Sequence, residues 1–442
     1  MRGVERMTAT DAQTHWMSAK IPNDQFLLFG FVGVYAPIER IAADLEGRAS
    51  AIADLRIRVR EVPATLDHPY WVSAPVTADQ IRIHRRVSGW DACLADLAGR
   101  MATQLDATTQ GWRVHLYDAV PGAPGVDGDT MVVAVLQIAH ALADGSRATR
   151  IARELFDSRP IGSADPASST TGYGVGSTVL AGLGIARLPL QLVSLMRRGR
   201  RAHLAHRDLE RDIAAGVRAA PQPGGPRSPI NAAPGQRRDV RVVLTSTHRL
   251  REIGGSVTVG ALVVIGRALD RHLSVRKDTE LRAEVTIAKP GPARARNHFR
   301  NAGVGLHVDE TDPTRRARAI RADLDAARRR TDHHLTEAES AAMGSVPAAL
   351  LHWGARSFDT TVVPELVTGH TVVSSVDRGA ADLTLGGGTV RFTAGFPALS
   401  PVQSLTHGVH GIGDTVAISI TASPDVVTDL DGYRDRVVDA LG

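Results

Sequence analysis

The apolar positions along the chain fall into two periods. Phe26 to Tyr35 and Val132 to His140 are almost unbroken apolar runs, and at that length they read as strands buried on both faces. Ile81–Val87 and Trp112–Tyr117 alternate apolar with polar, as half-buried strands do. Ile41, Leu45, Ile52 and Leu55 recur at helical spacing through 38–57, and 91–105 follows the same period. Trp112–Tyr117 and Met131–His140 flank a Pro/Gly/Asp-rich stretch over 120–130, which predicts antiparallel neighbours. That order of elements is α+β, not a doubly wound sheet. The second half repeats the character, with strands expected at 239–244, 281–287, 304–308, 366–375, 390–396 and 416–421. Helices are expected there at 259–273, 313–330 and 429–441. Residues 1–20 are polar and read as partly disordered.

The pattern breaks in the middle. Residues 158–177 are rich in Ser, Gly, Ala and Pro, and 221–234 in Pro and Gly. This divides the chain into an N-terminal subdomain over 1–165, a linker over 166–230 and a C-terminal subdomain over 231–442. Inside the linker lies an apolar stretch, 179–196, followed by Arg197, Arg198, Arg200 and Arg201. Arg187 and Pro189 interrupt it, which argues against a spanning helix. Two placements remain: a helix packed on the body with its arginines solvated, or a segment lying in a membrane interface.

Composition narrows the function classes. Of 442 residues 43% are hydrophobic and 22% charged, enough for large cores in a soluble protein. The net charge of +5 is spread over scattered arginines with few aromatics, so nucleic-acid binding is not expected. The single cysteine, Cys93, excludes disulfides and cysteine zinc sites, and its helical surroundings read as core. His333-His334 and His407-x-x-His410 lack a ligand pattern, so no metal is expected. The N-terminus has no apolar signal core, and Phe26–Tyr35 is too short to span a bilayer. A cytoplasmic protein is expected, with 179–201 able to lie on the inner face of a membrane.

The candidate chemistry sits where the apolar run Val132–His140 ends. His140 is followed by Asp144 and Gly145, and from Ser146, a fitting N-cap, Ile151, Ala152 and Leu155 recur at helical spacing. A histidine on a tight turn between a buried strand and a helix is fixed in place in apolar surroundings. A neutral imidazole there can take a proton from an alcohol or thiol. Asp144 can hold the turn by pairing with an arginine, and Gly145 permits close approach or positive φ. The competing reading is a buried, satisfied histidine.

Several landmarks then resemble the bacterial wax ester synthase/diacylglycerol acyltransferase family, within the CoA-dependent acyltransferase and condensation-domain superfamily. They are Ile21–Leu27, Leu105-Asp106 through Trp112–Leu116, His140–Gly145, Ser228–Asn231, and Phe299-Arg300-Asn301 through Leu306. The resemblance implies two chloramphenicol-acetyltransferase-like subdomains, a pseudo-dimer with a tunnel at their interface. It implies His140 as general base, Asp144 and Gly145 as supporting catalytic-motif residues, and Ser375, Trp112 and Asn301 at the substrate. No cofactor or metal is implied, with acyl-CoA as co-substrate and a hydrophobic alcohol or diacylglycerol as acceptor. Peripheral membrane or lipid-droplet association is a further implied partner surface. The family's Asn-Asp pair falls here on Gly260-Ala261, and its later Ser-Asn-Val-Pro-Gly-Pro loop on Ser374–Gly379. These departures keep two alternatives open: a transferase for a polyketide, amine or carrier-bound acceptor, or a catalytically silent lipid-binding protein.

Overall fold

The computed structural model describes residues 4–442 apart from 86, 127, 158–175, 222, 274–279 and 332–333. Most of the Ser/Gly-rich stretch 158–177, and His333, therefore lie outside the described residues. The chain forms two α+β halves, each built on a six-stranded sheet. The first sheet runs in the order Thr384–Leu385, Gly388–Phe396, Gln25–Val32, Thr130–Ile138, Trp112–Pro121, Ile81–His84. The expected pair Trp112–Pro121 and Thr130–Ile138 is antiparallel, with Trp112 opposite Ile138. The second sheet runs Phe299–Gly305, Arg282–Ala288, Thr371–Asp377, Leu405–Ile412, Thr415–Ala422, Asp239–Ser246, with Thr371–Asp377 parallel to both its neighbours.

Strand Thr130–Ile138 is apolar from Met131 to Leu136 because its two faces enter different cores. Val132, Ala134, Leu136 and Ile138 pack under helices Ile38–Ala49 and Gly145–Leu155. Met131, Val133 and Val135 face a second cluster shared with Val240 and Ala417 of the other half. The interface between the halves is thus itself a hydrophobic core, and emptying it by a Leu-to-Ala change costs about 2–5 kcal/mol at a typical buried site.

The halves also exchange chain. Gly388–Phe396 lies in the C-terminal part of the sequence but pairs antiparallel with Gln25–Val32. On its way it passes against Leu405–Ile412 of the second sheet. A Cβ on Gly408 would overlap the Gly395 carbonyl oxygen, so this crossing needs a bare backbone. The same glycine hid the strand from pattern reading: Leu405–Ile412 is a central strand whose Gly and His residues resemble loop composition.

Other differences have local causes. The polar N-terminus holds a helix, Ala9–Ser18, capped by the Thr8 hydroxyl and anchored by buried Ala12 and Trp16. The linker contains a 38-residue helix, Ser177–Ala214, which runs through Pro189 and packs along helix His334–Met343. Arg187, the charge interrupting its apolar run, donates to the Asp67 carboxylate at 2.9 Å and the Tyr70 hydroxyl at 2.7 Å. A Cβ on Gly184 would overlap the Leu66 carbonyl, so the helix lies directly on the first half there. Its outer side leaves Ile185, Leu190, Val193 and Met196 exposed. By length and composition this helix is long and apolar enough to cross a membrane.

Candidate active site

His140 ends the central strand of the first sheet. Its approach is fixed by the Ala139 amide donating to the Gly111 carbonyl and the Leu142 amide to the Ala139 carbonyl, which turn the chain sharply. The helix Gly145–Leu155 starts from Asp144, not from Ser146: the Asp144 carboxylate accepts the Arg147 amide at 2.9 Å. Its other oxygen accepts the His298 amide from the second half at 3.0 Å. The expected arginine partner is therefore corrected to two backbone amides. The neighbouring arginines Arg147, Arg150 and Arg296 instead converge on Asp54, and the hydrogen bond from Arg296 spans 2.7 Å. Burial acts to raise the Asp54 pKa, but the arginines outweigh it and hold the carboxyl below its usual range.

The second half supplies the opposite wall. The Asp144 amide donates to the Arg296 carbonyl at 3.1 Å, and the Asn297 side-chain amide donates to the His140 carbonyl at 2.8 Å. Asn297 is held by Asp11, which is 1% exposed. One Asp11 oxygen accepts both the backbone and side-chain N–H of Asn297, and the other accepts the Arg296 amide. The His140 ring is partly accessible and lies 5.7 Å from the Phe299 ring, nearly parallel to it. Its Nδ1 is 3.5 Å from the Gln25 amide nitrogen, and that amide donates to the Ala143 carbonyl. Burial pulls the His140 pKa below its usual value. Its own carbonyl, Asn297, and the charges of Asp144 and Asp11 oppose this only in part. The ring is neutral at pH 7, the state a proton acceptor requires.

Gly145 does not need positive φ. A Cβ there would come within 3.3 Å of a Val376 methyl, so its role is close approach of the two halves. Next to Val376, Ser375 shares a 2.8 Å hydrogen bond with Thr258. The two hydroxyls line a cavity of about 430 Å³ with Val285, Ile287 and Leu324. A second cavity, of about 900 Å³, opens beside Asn297 and His298, and Pro290 borders both.

Trp112 and Asn301 stand apart from this arrangement. Trp112 is fully buried and its indole N–H is taken by the Leu55 carbonyl at 2.8 Å, so it supports the strand beneath His140 and presents no face to a substrate. Asn301 is exposed on an edge strand and donates to Glu284 at 2.6 Å. The asparagine at the site is Asn297, four residues earlier in the same segment. Asp11 was missed because it lies in the stretch read as disordered; the helix pattern Ala9, Ala12, Trp16 was its only sequence trace.

Gly260 and Ala261 do not face a cavity. A Cβ on Gly260 would overlap the Leu250 carbonyl of the preceding helix, and Ala261 is fully buried in the second-half core. Of the histidines singled out in the sequence, buried His407 bonds Thr371 and the Tyr433 hydroxyl at 2.9 Å each, and burial pushes its pKa down to about 3. Cys93 is buried, which pushes its thiol up to about 12.

The catalytic-domain model of the wax ester synthase/diacylglycerol acyltransferase family matches residues 32–260, more than half of the chain, and the WS/DGAT C-terminal domain model matches 296–442. A candidate diacylglycerol O-acyltransferase of Mycobacterium tuberculosis is 27% identical over 438 residues, covering 91% of this chain and 81% of the relative. Among solved structures, the wax ester synthase/diacylglycerol acyltransferase from Marinobacter aquaeolei superposes with a TM-score of 0.65 at 17% identity, covering 99% of this chain and 98% of that one. A starter condensation domain of rhizomide synthetase, solved with C8-CoA, gives 0.57 at 13% identity, covering 100% of this chain and 96% of that one. These superpositions establish the shared two-half acyltransferase fold. With family models covering both halves, the chain belongs to the wax ester synthase/diacylglycerol acyltransferase family and is an O-acyltransferase of that family.

Proposed function

We propose that this acyltransferase moves a long-chain acyl group from acyl-CoA to the hydroxyl of a hydrophobic alcohol or diacylglycerol, with His140 as general base. The observation that carries the reading is a neutral, partly accessible imidazole at the end of a buried strand, its peptide held from the other half by Asn297, which itself lines a cavity. The imidazole takes the acceptor proton as the acceptor oxygen attacks the thioester carbonyl. The tetrahedral intermediate collapses, the C–S bond breaks, and the imidazolium returns the proton to the departing CoA thiolate. Asp144 and Asp11 stabilise the transient imidazolium by their charge. Thr258 and Ser375 offer hydroxyls inside a cavity that Val285, Ile287 and Leu324 line with aliphatic side chains. No metal or covalent enzyme intermediate is needed for this path.

The test is CoA-thiol release by purified protein given palmitoyl-CoA with hexadecanol or dioleoylglycerol. A His140→Ala variant is expected to lose about 10²–10⁴-fold in rate. Undiminished turnover in that variant would sink the assignment of the base, and transfer only to amines would replace the acceptor class.

The acceptor's chemistry also demands a route from a lipid phase. The exposed apolar side of Ser177–Ala214, bordered by Arg197 and Arg200, supports peripheral docking on an anionic lipid surface. Its tie to the body through Arg187 and Asp67 favours lying on the surface over crossing it.

A further inference from the structure

The larger of the two cavities, beside Asn297 and His298, is rimmed by basic side chains. Arg198 and Arg201 reach it from helix Ser177–Ala214, Lys289 and Arg294 from the segment preceding Asn297, and His298 and His334 complete the rim, against one acid, Glu337. Most arginines near the site have fixed carboxylate partners, as Arg147, Arg150 and Arg296 do on Asp54. Around this cavity the pattern reverses. Among the described residues, Arg201, Lys289 and Arg294 have no hydrogen bond or ion pair from their side chains, and Arg198 is engaged only with the Ala341 carbonyl and the Ser345 hydroxyl. Lys289 is half-buried, where an unpaired ammonium costs more than at the surface. Unpaired cations concentrated around one concavity focus a positive potential and draw in a polyanion. The cavity floor contains Asn297 and His298, which bond the His140 carbonyl and the Asp144 carboxylate. An anion held at the rim therefore directs whatever is attached to it toward His140.

We infer that this cavity is a phosphate-ester site, in which Arg198, Arg201, Lys289 and Arg294 hold the phosphorylated end of the acyl-CoA co-substrate while its thioester arm passes Asn297 to His140. The inference rests on the acyl-CoA reading above and adds to it the residues that select a phosphorylated donor. It assigns the two cavities to different substrates. The larger one, with its basic rim, takes the water-soluble donor, and the smaller one, where Val285, Ile287 and Leu324 accompany Thr258 and Ser375, takes lipid chain, the two adjoining at Pro290. It also gives helix Ser177–Ala214 two duties, since Arg198 and Arg201 follow directly on its exposed apolar stretch.

The test compares the wild type with Lys289→Gln/Arg294→Gln and with Arg201→Gln, using Lys289→Arg as the charge-preserving control. Calorimetric titration with CoA, dephospho-CoA, pantetheine and inorganic pyrophosphate reads binding without requiring turnover. CoA affinity is expected to fall about tenfold per phosphate contact removed, to be preserved in Lys289→Arg, and to be weaker for pantetheine in the wild type by a larger factor. In steady state the KM for palmitoyl-CoA rises in the variants, while kcat and the KM for palmitoyl-pantetheine hold. CoA affinity within twofold of wild type in both variants overturns the inference. So does loss of binding to phosphatidylglycerol vesicles with unchanged CoA affinity, which reassigns the cavity to lipid headgroups. Charge-dependent CoA binding without any transfer would sink the proposed reaction and leave the phosphate site standing; transfer with an unaltered KM for acyl-CoA would do the reverse.

Discussion

Asn297 donates its side-chain amide to the backbone carbonyl of His140 across the interface between the halves, at 2.8 Å. The histidine comes from one half and the group fixing its peptide from the other, and Asp11 holds that group with a carboxylate buried to 1% exposure. The geometry of the base thus depends on how the halves are docked. Asn297→Ala removes the donor and leaves Asp11 with fewer partners. The expected result is a fall in kcat of about 10²-fold, the scale of a misplaced catalytic group, with little change in the KM for acyl-CoA. Asn297→Asp should be worse than Ala, because it places a second carboxylate against Asp11. Equal kcat in all three proteins would show that the His140 peptide needs no such anchor.

The pH profile follows from the same surroundings. Burial depresses the His140 pKa below 6.5, and the base works in its neutral form. Since kcat/KM reports the free enzyme, its acid limb is expected below pH 6.5, with a plateau through neutrality. In Asp11→Asn one of the charges favouring the imidazolium is gone, so the limb moves further down. A limb above pH 7 in the wild type would mean that the imidazole is stabilised in its charged form.

How much of this was legible in the sequence depends on the range of the contact. The strand ending at His140 and the turn at Asp144 are local consequences of an apolar run meeting a helix start, whereas the tight packing at Gly145 is set by Val376 of the other half. The antiparallel pairing of Trp112–Pro121 with Thr130–Ile138 is likewise local. The partners of Asp144 were not legible, because the His298 amide lies 154 residues away and backbone amides carry no mark in a sequence. Asn297 and Asn301 share one short segment, and only the fold of the Arg282–Ala288 and Phe299–Gly305 hairpin separates the one at the site from the one on the edge. The passage of Gly388–Phe396 into the first sheet leaves no local trace, since a strand pairs equally well in either sheet by its own alternation.

The position Gly260 makes a sharp case. The family carries a polar side chain there by resemblance, yet in this chain a Cβ would overlap the Leu250 carbonyl. Helices Thr247–Gly254 and Val257–Leu273 meet at this point. Gly260→Asn is therefore expected to lower stability by more than the ~1–3 kcal/mol typical of overpacking, read as a drop in Tm, without raising acyl transfer. A stable and more active Gly260→Asn protein would show that the helix pair opens to accept the side chain and that polarity is what this half lacks.

Peripheral docking is tested on the apolar side of Ser177–Ala214. Leu190, Val193 and Met196 are 72%, 47% and 68% exposed, a large apolar area for a protein surface. Replacing all three with Ser should reduce sedimentation with phosphatidylglycerol vesicles and leave transfer to a detergent-dispersed alcohol unchanged. Vesicle binding by the wild type should weaken with salt, as expected for an anionic lipid surface. Unaltered sedimentation of the triple variant would place the helix off the membrane.

A buried polar chain beneath the catalytic strand gives a stability prediction with a definite sign. The Gln137 side chain donates to Asp24 at 2.8 Å and accepts from His115 at 3.0 Å, while His84 reaches His115 at 3.1 Å. With Gln137 as acceptor, His115 must carry its proton on Nε2, and His84 then donates to Nδ1. Every donor points toward Asp24, which also accepts the Leu105 amide at 2.8 Å. Even so, burial outweighs these bonds and raises the Asp24 pKa from 3.8 to about 6. A raised carboxyl pKa means that folding favours the protonated form. No cost is present below 3.8; it grows as pH rises through 6 and stays at its full value above, on the order of 3 kcal/mol. Asp24→Asn keeps one oxygen, which can serve both Leu105 and Gln137 since they donate to the same Asp24 oxygen, and removes the buried charge. Its Tm should therefore exceed that of the wild type at pH 8, with the gap narrowing toward pH 4.5. Since His115 and His84 are present in both proteins, their own titration largely cancels in the difference. A Tm gap independent of pH would mean that Asp24 titrates normally in the folded chain, its ionised form fully compensated by the hydrogen bonds that converge on it.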